Sequence, residues 1–106
     1  MTSVGGMDVV VSELVPQEGG TLTHIGTATH YYAKIGVSAV QVNACCTITR
    51  GGILQFTNCH GRIFRIRVDS MERDHVPIDE AVGPDHVGIE TGIRLKHSSD
   101  VFSVTL

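Results

Sequence analysis

The chain has 106 residues, 42 % of them hydrophobic and 18 % charged, with 5 % aromatic and no tryptophan. That length is one domain, and its core must come from Val, Ile, Leu and Ala. A net charge of −3 excludes a protein that coats nucleic acid by bulk positive charge, and no apolar run reaches the length of a membrane span.

Met1–Gly6 is small and polar, with no basic segment leading into an apolar one. No secretory signal is read there, and the expected location is cytoplasmic. From Met7 to Val15 the chain is β-branched and apolar, with Val9, Val10 and Val11 in a row. This reads as an extended segment. Such a strand gains by pairing with an edge, either of its own domain or of a neighbouring chain. Pro16-Gln17-Glu18-Gly19-Gly20 breaks the pattern. The division expected is an N-terminal extension over 1–18, able to serve as an added edge strand, and a compact domain over 19–106.

Thr21–Tyr32 is rich in Thr and Tyr and is the first main strand, with Gly26 marking a bulge or a close backbone approach. A turn near Lys34-Ile35-Gly36 sends the chain back through a second strand ending at Val42. Cys45-Cys46-Thr47-Ile48 is a partly buried connection, and Arg50-Gly51-Gly52 is a turn. Ile53–Thr57 is a short strand closed by Asn58-Cys59-His60-Gly61. Arg62–Glu72 alternates best. It places Phe64, Ile66 and Val68 on a core face and Ile63, Arg65, Arg67 and Asp69 on an exposed one. Pro77 confines Val76-Pro77-Ile78 to an edge or a bend. Asp79–Val82 leads to the Gly83-Pro84-Asp85 turn. His86–Thr91, Ile93–Lys96 and Val101–Thr105 complete the series. Short strands, 12 glycines and no amphipathic helix predict an all-β fold, a small antiparallel barrel that hides its edges by closure.

Residues along this series resemble a known family. Ile25-Gly26-Thr27-Ala28-Thr29-His30-Tyr31-Tyr32 with Lys34-Ile35-Gly36-Val37 is similar to the opening of the small barrel of translation elongation factor-like proteins. That barrel also stands at the C-terminal end of collagenase-like peptidases and resembles domain 2 of the translational GTPases. Val68–Glu72, Glu80-Ala81 with Gly83, Val87-Gly88-Ile89 and Val101-Phe102 continue the likeness, which spans Gly20 to Leu106. The chain departs from the pattern at Gly51-Gly52, at the extra Pro84, and in the last turn, Lys96–Asp100, which lacks glycine. The resemblance implies a barrel that contacts RNA or a ribosome-associated partner. It does not imply GTP binding, because no G-x-x-x-x-G-K-[ST] loop occurs.

Chemistry-bearing residues are scattered. The six histidines lack the paired spacing of a zinc site, and Cys59-His60 on one strand would point to opposite faces, so no metal or other cofactor is expected. The odd cysteine count speaks against a disulfide framework; Cys45, Cys46 and Cys59 are expected to be reduced thiols packed as small hydrophobes. Nothing places a thiolate beside a base, and no catalytic residue is assigned. The positive candidates are Arg62, Arg65 and Arg67 of the alternating stretch, with Lys34, Arg50 and Tyr31. Guanidinium forks suit phosphate and an aromatic ring suits a base, so together these six form a candidate RNA or partner contact. The function expected is a non-enzymatic binding module for structured RNA or a ribosome-associated protein. The other reading is a protein–protein accessory module. Monomer and homodimer are both left open.

Overall fold

The computed structural model describes residues 15–106. The expectation for Met7–Val15 therefore lies outside the described residues, Val15 apart. Among the described residues the fold is all-β, with ten strands and no helix, and so no helix long and apolar enough to cross a membrane. The strands are β1 (Thr21–Tyr32), β2 (Val37–Val42), β3 (Thr47–Thr49), β4 (Ile53–Thr57), β5 (Ile63–Arg67), β6 (Met71–Arg73), β7 (Val76–Pro77), β8 (Glu80–Val82), β9 (Asp85–Glu90) and β10 (Asp100–Thr105). Eight of them make one antiparallel sheet in the order β5-β4-β10-β1-β2-β9-β6-β7, and β3 pairs with β8 separately.

The long strand β1 organises the sheet because its two halves pair differently. Its first half pairs with β10 and its second with β2, and the overlap falls at Gly26 and Thr27. The register slips between His24 and Gly26, and a Cβ on Gly26 would stand 2.4 Å from the Gln41 carbonyl oxygen. Glycine is required there by close approach, as its position in the strand predicts. The turn after β1 reverses through Gly36 at φ +66°, and β7 with Pro77 ends the sheet.

The alternating stretch Arg62–Glu72 is two strands, not one. β5 pairs with β4 and β6 pairs with β9. Between them Val68 leaves the ladder: its N–H donates to the Gly52 carbonyl at 2.8 Å and its carbonyl accepts from Gly51 at 2.7 Å. The chain bends because those two glycines offer the backbone groups that a neighbouring strand would otherwise supply. Val68–Ser70 is short enough to bring β5, at one end of the sheet, near β6, the second strand from the other end, so the sheet is rolled on itself. Covalent continuity closes the roll; no ladder joins β5 to β6 among the described residues.

Val40, Val42, Ile48, Phe56, Val68, Met71, Ile89 and Val101 fill the interior, with Phe64 and Ile66 packed against them. The inward parity of β5 is therefore as expected. The exposure of Arg65 is not: it is only 7 % exposed. Its guanidinium donates to the Pro16 carbonyl at 3.2 Å and to Gln55 Oε1 at 2.9 Å, so residues before the barrel cover it. The cysteines also differ from the expectation. Cys46 packs against the core, but Cys45 and Cys59 are exposed.

Candidate cationic cleft

The end of the roll beside β1 is built by a strap, Arg94–Ser99, laid between β4 and β1. The Lys96 N–H donates to the Thr57 carbonyl and the Cys59 N–H to the Arg94 carbonyl, both at 2.9 Å. On the other side, Ala28 N–H donates to the Ser99 carbonyl at 2.8 Å and Ser98 N–H to the Ala28 carbonyl at 3.1 Å. Leu95 is buried and bridges to Asn58. Alternation along an extended strap then turns its neighbours, Arg94 and Lys96, outward. Asn58 holds the facing turn: its Oδ1 accepts from the N–H groups of His60 and Arg62, each at 2.9 Å.

These elements enclose a cleft of about 250 Å³, lined by Tyr31 and His30 from β1, Cys59 from the turn, and Arg94, Lys96 and His97 from the strap. The Arg94 guanidinium carbon lies 5.1 Å from the Tyr31 ring centroid, a cation–π contact worth about 0.5–1 kcal/mol at an exposed site. No carboxylate lines the cleft, and neither Arg94 nor Lys96 forms an ion pair among the described residues. Its chemistry is that of an anion and ring receptor: two cations without a carboxylate partner, an aromatic ring and polar imidazoles.

Of the six residues expected to form a contact surface, Tyr31 alone lines this cleft. Arg62 lies in the turn after β4 and borders a shallower hollow with Ile63 and Gln17. Arg65 is buried beneath Pro16. Arg67 donates to the Gly51 carbonyl at 2.7 Å, and Arg50 faces Asp79 at 3.5 Å. Lys34 is exposed in the β1–β2 turn. The cleft instead gathers Arg94 and Lys96, which the sequence analysis did not single out. The local pattern, two cations flanking one Leu, shows only that both face away from Leu95; it does not report the contact with β1.

Elsewhere the most defined ion pair is Arg73–Asp85, joining β6 to the start of β9 through Arg73 Nε at 2.8 Å and a second contact from Nη2. The Arg73 hydrogen bond, supported by the His86 N–H, holds the Asp85 carboxyl below its ordinary range. The Asp85 hydrogen bond and charge push the Arg73 guanidinium up. Among the described residues no three His, Cys, Asp or Glu side chains come together as a metal site.

No family model matches the chain, and no curated protein matches it. Solved structures do. The C-terminal domain of a Geobacillus thermoleovorans protein assigned as a U32 peptidase superposes with a TM-score of 0.68 at 15 % identity, over 77 % of this chain and 92 % of that one. A selenomethionine variant of the same domain gives 0.66 at 17 % identity, over 74 % and 96 %. At these identities the similarity is one of fold. It agrees with the collagenase-like peptidase barrel that the sequence resembles.

Proposed function

We propose that this domain is a non-catalytic binding module for RNA, working in the cytoplasm, and that the cleft between Tyr31, Arg94 and Lys96 is its contact surface. The observation that carries this reading is the Arg94 guanidinium over the Tyr31 ring, with Lys96 in the same cleft and no carboxylate lining it. Such a set receives a phosphate through the cations and a base through the ring, and it works in a protein of negative net charge because the cations are local. The likeness of Gly20–Leu106 to domain 2 of the translational GTPases, where this barrel docks on RNA and on neighbouring domains, supports the same reading. Fold alone does not assign a function, so the site carries the proposal.

Fluorescence anisotropy with single-stranded and hairpin RNA across a salt series tests it. The expected outcome is affinity that falls as salt rises, since phosphate neutralisation releases counterions. Arg94→Ala and Lys96→Ala should each lower the log–log salt slope by about 1. Arg67→Ala, whose guanidinium is committed to Gly51, should leave the slope unchanged. Binding that ignores salt, or a double variant that binds as wild type does, would overturn the assignment.

A further inference from the structure

Tyr31 and Tyr32 are consecutive on β1 and serve two surfaces. Tyr31 lines the cationic cleft, and Tyr32 lines a separate groove of about 400 Å³ on the outer face of β1, β2, β9 and β6. One wall of that groove is apolar: Tyr32 is 50 % exposed and Ile35 57 %. The Tyr32 ring is set edge-on against His30, with centroids 4.5 Å apart. The floor is Val37, Ala39 and Gly88. Gly88 lets Val37 and Glu72 approach across β9, since a Cβ there would meet Val37 Cγ1 at 2.9 Å and the Glu72 side chain at 3.5 Å. The opposite wall carries two carboxylates, Glu72 on β6 and Asp74 in the following turn, with the His75 and His86 rings beside them, and no Lys or Arg lines the groove.

We infer that this groove docks an extended basic peptide, one that alternates apolar and Lys or Arg side chains. Charge decides the occupant. Neither carboxylate forms an ion pair with an arginine or lysine: Arg73, whose guanidinium feels the charge of Asp74, is bound to Asp85, and the partner of Glu72 is the His75 ring at 3.8 Å. A cation delivered beside them is favoured, and an anion such as RNA is repelled. The apolar wall takes the alternate side chains, which an extended peptide places on one face. The adjacent sheet edge is ill suited to strand addition, because Pro77 in β7 has no N–H to offer. Side chains therefore seat the peptide across the face. This surface is independent of the RNA reading: it is a different groove, of opposite charge.

The test uses the full chain and two labelled peptides, one alternating Val and Lys, the other Val and Glu. Backbone amide shifts in NMR titration should move at Val37, Ala39 and Gly88 with the Val/Lys peptide and not with the Val/Glu peptide, while Arg94 and Leu95 stay in place. Glu72→Gln with Asp74→Asn should weaken the Val/Lys peptide about tenfold and steepen nothing in RNA binding. Asn tolerates the positive φ of +51° at position 74, and Tyr32→Ser removes the apolar wall at an exposed position, so both variants keep the fold. Equal binding of the two peptides would overturn the inference. So would shifts confined to the Arg94 side, an unaffected double variant, or groove shifts that grow with protein concentration alone, which would give the groove to a second copy of the chain.

Discussion

The side-chain amide of Gln17 holds both backbone polar groups of Arg65: the Arg65 N–H donates to Gln17 Oε1 at 3.0 Å, and Gln17 Nε2 donates to the Arg65 carbonyl at 3.2 Å. β5 is an edge strand, and Arg65 sits at the middle of its outer side. Gln17 therefore stands where a residue of a ninth strand would pair. An open edge invites another chain to add to it, so one side chain here acts as an edge guard.

The first prediction follows from that pair. Gln17→Ala should expose the Arg65 amide to exchange at least tenfold faster, while amides of β1 and β10 keep their protection. A net cost of about 1 kcal/mol per lost hydrogen bond is expected, reduced where water substitutes. Weak self-association through β5 should appear by light scattering at high concentration. Unchanged exchange at Arg65 would show that the amide contact contributes nothing.

The second concerns the core. Phe56 is buried and faces Phe64 across the β4–β5 pair, whereas Ile63, one residue away on β5, is 66 % exposed. Phe56→Ala should cost about 3–5 kcal/mol in denaturant unfolding. Ile63→Ala should stay within about 0.5 kcal/mol, as surface substitutions do. Comparable losses would mean that the β5 register is misassigned.

The third concerns two glycines. A Cβ at Gly83 would lie 1.8 Å from the Asn43 carbonyl oxygen, and at Gly26 2.4 Å from that of Gln41. Both obstacles are backbone in neighbouring segments, so relief requires moving a strand. Gly61 meets nothing within 4 Å, and only its φ of +82° resists a side chain. Gly61→Ala should then cost about 1–2 kcal/mol. Gly83→Ala and Gly26→Ala should cost more, with expression or folding lost first at position 83. Thermal melts of the three variants give the order directly.

The regular strands were legible because their signals are local. β1 and β4 occupy the predicted bounds, and β2, β9 and β10 begin or end within two residues of theirs, since period-two patterning and flanking glycines both lie in the chain itself. What was hidden depends on partners distant in sequence. Arg65 alternates as an exposed residue should; its cover, Pro16 and Gln17, comes from 48 or 49 positions earlier. The bend at Val68 depends on Gly51 and Gly52. β3 and β8 are three-residue strands that pair only with each other, too short to show a period. The cleft was half legible: Tyr31 was read, but Arg94 and Lys96 matter only because the strap folds against β1. No pattern within Ile93–Lys96 reports that contact.

The last prediction is a pH dependence at the Arg73–Asp85 pair. Hydrogen bonding from Arg73, then from the His86 N–H, lowers the Asp85 carboxyl below its ordinary value. A carboxyl depressed on folding contributes stability that is fully present above the unfolded value, about 3.9 for Asp, and is lost as pH falls through the lower folded value. The window therefore lies below about pH 4. Arg73 is shifted the other way, upward, and its share is present at all pH values below the ordinary arginine range, so it adds no slope in any practical experiment. Both side chains are open to solvent, 43 % and 19 % exposed, so salt screens the pair and the effect is modest. Asp85→Asn should be less stable than wild type between pH 6 and 8 at low salt, flagged by a lower denaturant midpoint of roughly constant size across that range. The two midpoints should converge as pH drops below about 4, and at neutral pH they should approach each other as salt is raised. A gap that stays constant from neutral to strongly acid pH would remove the carboxylate from the explanation and leave only the hydrogen-bond geometry of the side chain.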